Sequence, residues 1–450
     1  MVGGRLRHFL RAWQDVTDDR YVLSIIKDGY RLEFERLPPL SHKPRYIRLP
    51  SSSVKRVALW NEVQVLLAKN AIRQVPADRP GPGFYSHLFL VEKKTGGWRP
   101  VLDLSSLNRF IRKESFQMLT PQRAMGALSL GDWSATIDLK DAYFHIPIHR
   151  LYCRYLRFAM EGKIFEFVAL PFGLTSAPRV FTRVLSVVVS QCHLQSINVL
   201  AYIDDWLLHN PCSVILSDNV GCILHLFARL GFVVSESKSR IIPTQEIAYL
   251  GMDFDTSRGI VRPSLERCRS LVLAAQGIRR RTVVSARSFL RLLGCLVSVG
   301  RLVPWGVLHR RPLQLYLMSL WNATRQPLEA TIPIRASIQP HLQWWEDFAR
   351  LRTGVLLAQQ IPDRSLYTDA SKQGWGAHLF DSQASGRWTE AEQLNHINWL
   401  ELEAVRLALL EFADLVTNHT MLVRLDNSTV VSYINHSTIR AEPGSSPCVS

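Results

Sequence analysis

Two adjacent carboxylates, Asp204 and Asp205, interrupt the apolar run Val199-Leu200-Ala201-Tyr202-Ile203-Asp204-Asp205-Trp206-Leu207-Leu208, and no other stretch limits the possible folds as sharply. Apolar residues on both sides predict two buried strands joined by a tight turn. Asp-Asp is a poor turn pair beside Asn-Gly or Asp-Gly, so turn chemistry alone does not account for it. Side by side on a rigid hairpin the two charges repel unless something cationic lies between them. A pair of divalent metal ions fills that role in phosphoryl transfer. The plain alternative is a solvated hairpin tip.

Upstream, Ser134-Ala135-Thr136-Ile137-Asp138-Leu139-Lys140-Asp141-Ala142-Tyr143-Phe144-His145-Ile146-Pro147 predicts another strand with a carboxylate at its end, and Asp138 would complete a metal cage. Between the two lies Leu170-Pro171-Phe172-Gly173-Leu174-Thr175-Ser176-Ala177-Pro178, a Gly/Pro-punctuated loop leading into an amphipathic stretch over 179–189. Carboxylate strand, loop and helix, then carboxylate hairpin is the order of a polymerase palm.

With these blocks the chain resembles the reverse transcriptases of retroelements, most closely those of DIRS-type retrotransposons. Residues 89–108, with Lys93-Lys94-Thr95-Gly96-Gly97-Trp98-Arg99-Pro100 at their centre, are similar to the fingers hairpin of that family. Gly231-Phe232-Val233-Val234-Ser235-Glu236-Ser237-Lys238 and Tyr249-Leu250-Gly251-Met252-Asp253-Phe254 match the two blocks after the catalytic hairpin, the second being similar to a primer grip.

The resemblance implies template-directed addition of deoxynucleotides (dNTPs) to a DNA primer on an RNA template. Asp138, Asp204 and Asp205 would hold two Mg²⁺ (or Mn²⁺) ions. It also implies that Arg99 and Lys94 (or Lys93, the loop being shorter than in retroviral relatives) grip the triphosphate. Tyr143 matches a steric gate against a ribose 2′-hydroxyl, and Lys238 matches a lysine proposed to protonate the pyrophosphate. Phe172 stands where retroviral enzymes have Gln, which makes that nucleotide contact apolar.

A second carboxylate set is readable independently. Ser365-Leu366-Tyr367-Thr368-Asp369-Ala370-Ser371 and Gly374-Trp375-Gly376-Ala377-His378-Leu379 predict a hairpin with Asp369 on its first strand. Leu400 to Val416 predicts a helix. At about 100° per residue its apolar stripe is Ala404, Val405, Ala408, Phe412 and Leu415, with Glu401 near the centre and Glu403 a solvated charge on the opposite side. Asp426 ends the strand Met421-Leu422-Val423-Arg424-Leu425-Asp426 just before a helix start. Asp on a strand, Glu on a helix and Asp at the next strand end resemble the ribonuclease H metal site, again two ions acting on RNA–DNA hybrid. In that family a later helix supplies a fourth acidic residue, whereas the tail from Ala441 to Pro447 predicts no helix. The expectation is a C-terminally truncated domain that cleaves hybrid poorly or not at all.

Composition fits a polyanionic partner: 54 Lys+Arg against 38 Asp+Glu, a formal net charge of +16. Seven scattered cysteines show neither zinc spacing nor a disulfide framework, and no apolar run of bilayer length is evident, so the reading is a soluble, intracellular protein without a membrane partner. The expected class is α+β: a right-hand polymerase of fingers, palm and thumb followed by a ribonuclease H-like α/β domain. The divisions are 1–73 (N-terminal extension), 74–255 (fingers and palm), 256–360 (a basic helical thumb or connection, with a phosphate contact at Arg279-Arg280-Arg281) and 361–450. The alternative is a catalytically dead retroelement remnant that only binds nucleic acid. Oligomeric state is not legible.

Overall fold

The computed structural model describes residues 1–48, 50–76, 78, 81–92, 96–357 and 362–436. The chain divides into two compact units, Met1–Leu250 and Gly251 onward.

At the centre of the first unit is a four-stranded antiparallel sheet in the order Val199–Tyr202, Asp205–Asn210, Trp133–Asp138, Arg240–Thr244. Trp206, Leu207, Leu208 and His209 are all buried in succession. A continuous buried run, in place of alternation, means that both faces of that strand are covered. The helix Ala177–Leu194 packs on the hairpin through Val180, Phe181, Val184 and Val188, and it starts with Pro178 in its first turn, where a missing N–H costs nothing.

The helix Ser213–Leu230 is long and apolar enough by composition to cross a bilayer. Its stripe of Leu216, Val220, Ile223, Phe227 and Leu230 is buried against the sheet, with the Phe227 ring edge-on to Trp206 at 4.9 Å. Burying such a side chain stabilises by roughly 1.5–3 kcal/mol, so this face alone anchors the helix. Gly231 ends it at φ +88°, and a Cβ there would lie 2.3 Å from the Phe9 ring.

Phe9 belongs to residues 1–73, read from the sequence as an extension. Leu6, Trp13, Val22, Ile26 and Tyr30 in fact share the core of the sheet and its helices. The Trp13 indole N–H donates to the Leu230 carbonyl at 3.0 Å, and Arg5 Nε donates to the Gly231 carbonyl at 2.9 Å. The fingers-like hairpin pairs His87–Glu92 with Trp98–Asp103.

The second unit opens with the helices Leu265–Arg279, Ala286–Val299, Gly306–Leu320 and Gln339–Trp344, packed around Leu271, Phe289, Leu296, Leu317 and Trp345. It continues into a sheet ordered Ser382–Arg387, Gly374–Leu379, Arg364–Ala370, Met421–Arg424. The first three strands form an antiparallel meander, and the fourth runs parallel to Arg364–Ala370. A parallel return requires a crossover, which the helix Ile397–Glu411 supplies.

That helix differs from expectation at its end. The backbone leaves helical geometry at Phe412 (φ −95°, ψ 23°), and Ala413–Val416 forms a separate short turn. Leu415 is therefore exposed, while Ala404, Val405, Ala408 and Phe412 are buried as the spacing predicts.

Candidate active sites

Asp138 and Asp205 sit directly opposite each other on neighbouring antiparallel strands. The sequence suggested Asp204-Asp205 as the turn. The two-residue turn is instead Ile203-Asp204, closed by the Tyr202–Asp205 pair, so Asp205 lies on a strand and only Asp204 at the tip. Ile203 takes φ +54°, a strained choice for a β-branched residue. The strain is held in place from two sides. Asp204 C=O accepts the Leu139 N–H at 2.9 Å, and the buried Tyr249 hydroxyl donates to the carbonyls of Leu200 (2.9 Å) and Asp205 (3.3 Å).

Asp138 is almost fully buried, and its Oδ1 has no hydrogen-bond partner. The exposed Lys238 ammonium stands 3.6 Å from that oxygen, too far for a good hydrogen bond. Burial raises the Asp138 pKa, Lys238 opposes this, and Asp204 adds to it. Asp205 is pushed up to about 6 by burial and then by Asp204 and Asp138. Two crowded carboxyls with raised pKa values and a buried oxygen without a hydrogen-bond partner fit the donor chemistry of a divalent cation.

The turn carrying Lys238 is tied to Asp138 through the backbone and Ser239. Ser235 N–H donates to Asp138 C=O at 2.7 Å, Asp138 N–H donates to Ser239 Oγ at 3.0 Å, and Ser239 Oγ–H returns to Ser235 C=O at 2.7 Å. Sequence reasoning missed Ser235, Ser239 and Tyr249 in these roles. The signals available were the serine-rich turn after Val234 and the block that begins at Tyr249.

Tyr143 and Phe172, expected at the nucleotide, come together with ring centroids 5.0 Å apart, and Tyr143 also meets Phe181 edge-on at 5.5 Å. Phe172 is exposed on its outer side, whereas Tyr143 is buried. Arg99 is exposed on the fingers-like hairpin opposite Val91 and makes no ion pair among the described residues. Lys93 and Lys94 lie outside the described residues.

In the second unit Asp369, Glu401 and Asp426 each offer an oxygen within 4.8 Å of the others. They are the one such group of three His, Cys, Asp or Glu side chains among the described residues. Glu401 is buried, its Oε2 has no partner, and its pKa is pushed up to about 7 by burial, then Asp426 and Asp369. The strand expected to end at Asp426 stops at Arg424, leaving Asp426 in the bend that follows, and a bridge from Asn427 Nδ2 to Asn398 Oδ1 (3.0 Å) joins that bend to the helix start before Glu401. Glu403, expected to be free in solvent, is instead half-buried and held by the guanidinium of Arg406.

Residues 91–254 match the family model described as reverse transcriptase (RNA-dependent DNA polymerase), so the chain carries a reverse transcriptase domain. It is 25% identical over 355 residues to the genome polyprotein of Petunia vein clearing virus (isolate Shepherd), covering 74% of this chain and 15% of the polyprotein. It is 20% identical over 415 residues to the enzymatic polyprotein of Figwort mosaic virus (strain DxS), covering 90% and 58%. The chain thus spans less than two thirds of either relative. The foamy viral protease-reverse transcriptase solved with double-stranded DNA superposes with TM-score 0.60 at 17% identity, covering 97% of this chain and 78% of that one. The same protein solved with an RNA/DNA hybrid gives 0.59 at 16%, covering 97% and 60%. At such identities the superposition establishes the fold, a reverse transcriptase-like polymerase.

Proposed function

We propose that this chain is an RNA-directed DNA polymerase that extends a DNA primer on an RNA template using dNTPs. The observation that carries this reading is the register pair Asp138–Asp205 beside the Asp204 turn, with Asp138 Oδ1 buried and unpartnered. Asp138, Asp204 and Asp205 would hold two Mg²⁺ or Mn²⁺ ions, which would lower the pKa of the primer 3′-hydroxyl and neutralise the triphosphate and leaving pyrophosphate. Lys238, exposed and 3.6 Å from Asp138 Oδ1, would donate a proton to the departing pyrophosphate. Arg99 and Lys94 would bind phosphate oxygens as a fork and a point charge. Tyr143, backed by Phe172 and Phe181, cannot retreat, so its ring excludes a 2′-hydroxyl by volume. Residues 74–255 would then act as fingers and palm and 256–360 as thumb or connection.

A second activity, cleavage of RNA in RNA–DNA hybrids, is favoured by the convergence of Asp369, Glu401 and Asp426. Glu401, short of hydrogen bonds and close to two other carboxylates, is held ready for a cation. Affiliation with the DIRS-type elements belongs to the same proposal and rests on the sequence blocks quoted above.

Primer extension on a homopolymeric RNA template with dNTPs and Mg²⁺ tests the polymerase. Template–primer binding without extension would return the chain to the alternative of a nucleic-acid-binding remnant.

A further inference from the structure

Several partly buried arginines of the second unit are neutralised. Arg279 pairs with Glu346, Arg352 with Asp253 and Arg406 with Glu403; even the exposed Arg287 meets Glu329. The Arg279 pairing also removes one member of the basic run that the sequence suggested for phosphate contact. A cluster of three arginines has no such carboxylate among the described residues. Arg301 lies in the bend between the helices Ala286–Val299 and Gly306–Leu320, and Arg310 and Arg311 lie near the start of the second helix. None of the three forms an ion pair among the described residues, and Arg311 reaches only the Gln314 side chain.

Arg310 is the centre of this group. Its Nη1 lies 3.9 Å from where a Cβ on Gly300 would be, so the side chain folds back over the bend. Its Nε is sealed from solvent and donates to nothing. Burial, Arg301 and Arg311 all disfavour its charged form. The preceding residue offers no counter-charge. His309 stacks on Trp344 at 4.1 Å and 9°, with the Arg350 guanidinium 5.0 Å from the same indole ring. His341 Nδ1 lies 3.2 Å from His309 Nδ1, and His309 is pushed down to about 4 by burial, then His341 and Arg350. The first turn of the helix carries no acidic residue to offset these cations.

A buried donor without an acceptor and like charges packed together are each unfavourable in the free protein. They become favourable together when an anion arrives. We propose that Arg301, Arg310 and Arg311 form a phosphate-backbone site for nucleic acid, separate from both carboxylate centres. Guanidinium forks match the two free oxygens of a phosphodiester, and two exposed forks flanking a half-buried one suit successive phosphates along a strand. The choice of nucleic acid over a free anion rests on the polymerase reading above; the site itself does not depend on catalysis.

The test is equilibrium binding of a fluorescent RNA–DNA hybrid to the full chain without dNTPs, repeated across a KCl series. Replacing both Arg301 and Arg310 with Gln should weaken binding about tenfold near 0.1 M salt and lower the slope of log K against log salt by about one to two, equally for unrelated sequences. Arg310→Lys should keep most of the slope. Arg287→Gln, which removes a charge already neutralised by Glu329, should change little. Arg310→Gln should melt no lower than the parent, because the guanidinium has no partner to lose. An unchanged slope, an equal loss in Arg287→Gln, or a lower melting temperature with binding intact would each overturn the proposal. So would competition by inorganic tripolyphosphate that disappears in the double variant while hybrid binding persists, which would assign the cluster to a small anion. A chain that shows the expected slopes but extends no primer retains this site and loses the polymerase reading; one that extends primers with unaltered slopes does the reverse.

Discussion

The Nε2 of His145 accepts the Val233 amide N–H at 3.0 Å, while its Nδ1–H donates to the Ala142 carbonyl at 3.0 Å. The imidazole is fully buried and must be neutral to make both bonds. It joins the turn bearing Tyr143 to the segment that leads to Lys238, which Lys140 N–H also grips through Val233 C=O at 2.8 Å.

Burial holds His145 down at about 4, with Arg5 disfavouring and Asp141 favouring its charge. A folded pKa below the unfolded value means that the unfolded chain binds the extra proton. The contribution is therefore complete above about 6.5 and is lost as pH falls from there toward 4, a total of about 3 kcal/mol. Denaturant melts of the parent and of His145→Gln at stepped pH should converge as the solution is acidified. Parallel curves over pH 4 to 7 would remove this role.

Asp204→Asn should reduce primer extension on the order of a thousandfold, about 4 kcal/mol of transition-state stabilisation. Template–primer affinity should stay within about twofold, since the side chain is a candidate metal ligand and not a phosphate contact. The check is single-nucleotide incorporation beside a binding isotherm on the same preparation, and near-parent incorporation contradicts the assignment of Asp204.

Tyr143→Ala should admit ribonucleotides, and it should also destabilise the first unit by roughly 3 kcal/mol, because the ring is buried against Phe172 and Phe181. Discrimination is read from the ratio of dCTP to CTP incorporation, stability from a melt. A stability loss with unchanged discrimination would show that another side chain excludes the 2′-hydroxyl.

Glu401 provides a pH signature of the second site. Its folded pKa near 7 exceeds the unfolded 4.5, so in metal-free buffer the native state holds the extra proton, and its contribution is lost as pH rises from about 4.5 through 7. Glu401→Gln should therefore gain stability on the parent between pH 5 and 8 when metal is absent, and Mn²⁺ should reverse that order, because only the carboxylate binds it. Calorimetry with and without EDTA measures both. A parent that is insensitive to Mn²⁺ argues against an ion at Asp369, Glu401 and Asp426.

Local pattern was enough to read much of this protein from its sequence. The apolar runs around Asp204 and Asp205, the strand ending in Asp138 and the stripe placing Glu401 on a buried helix face follow from side-chain periodicity, which any short window contains. The tertiary structure decided what depends on residues far apart meeting. Hydrogen-bond register set Asp138 against Asp205 and moved Asp205 out of the turn. Packing made Leu6, Trp13 and Tyr30 core residues of the first unit. Charge pairing occupied Arg279 with Glu346 and left Arg310 without a partner. Periodicity shows which face a side chain takes, whereas pairing depends on the path of the whole chain and is absent from any single segment.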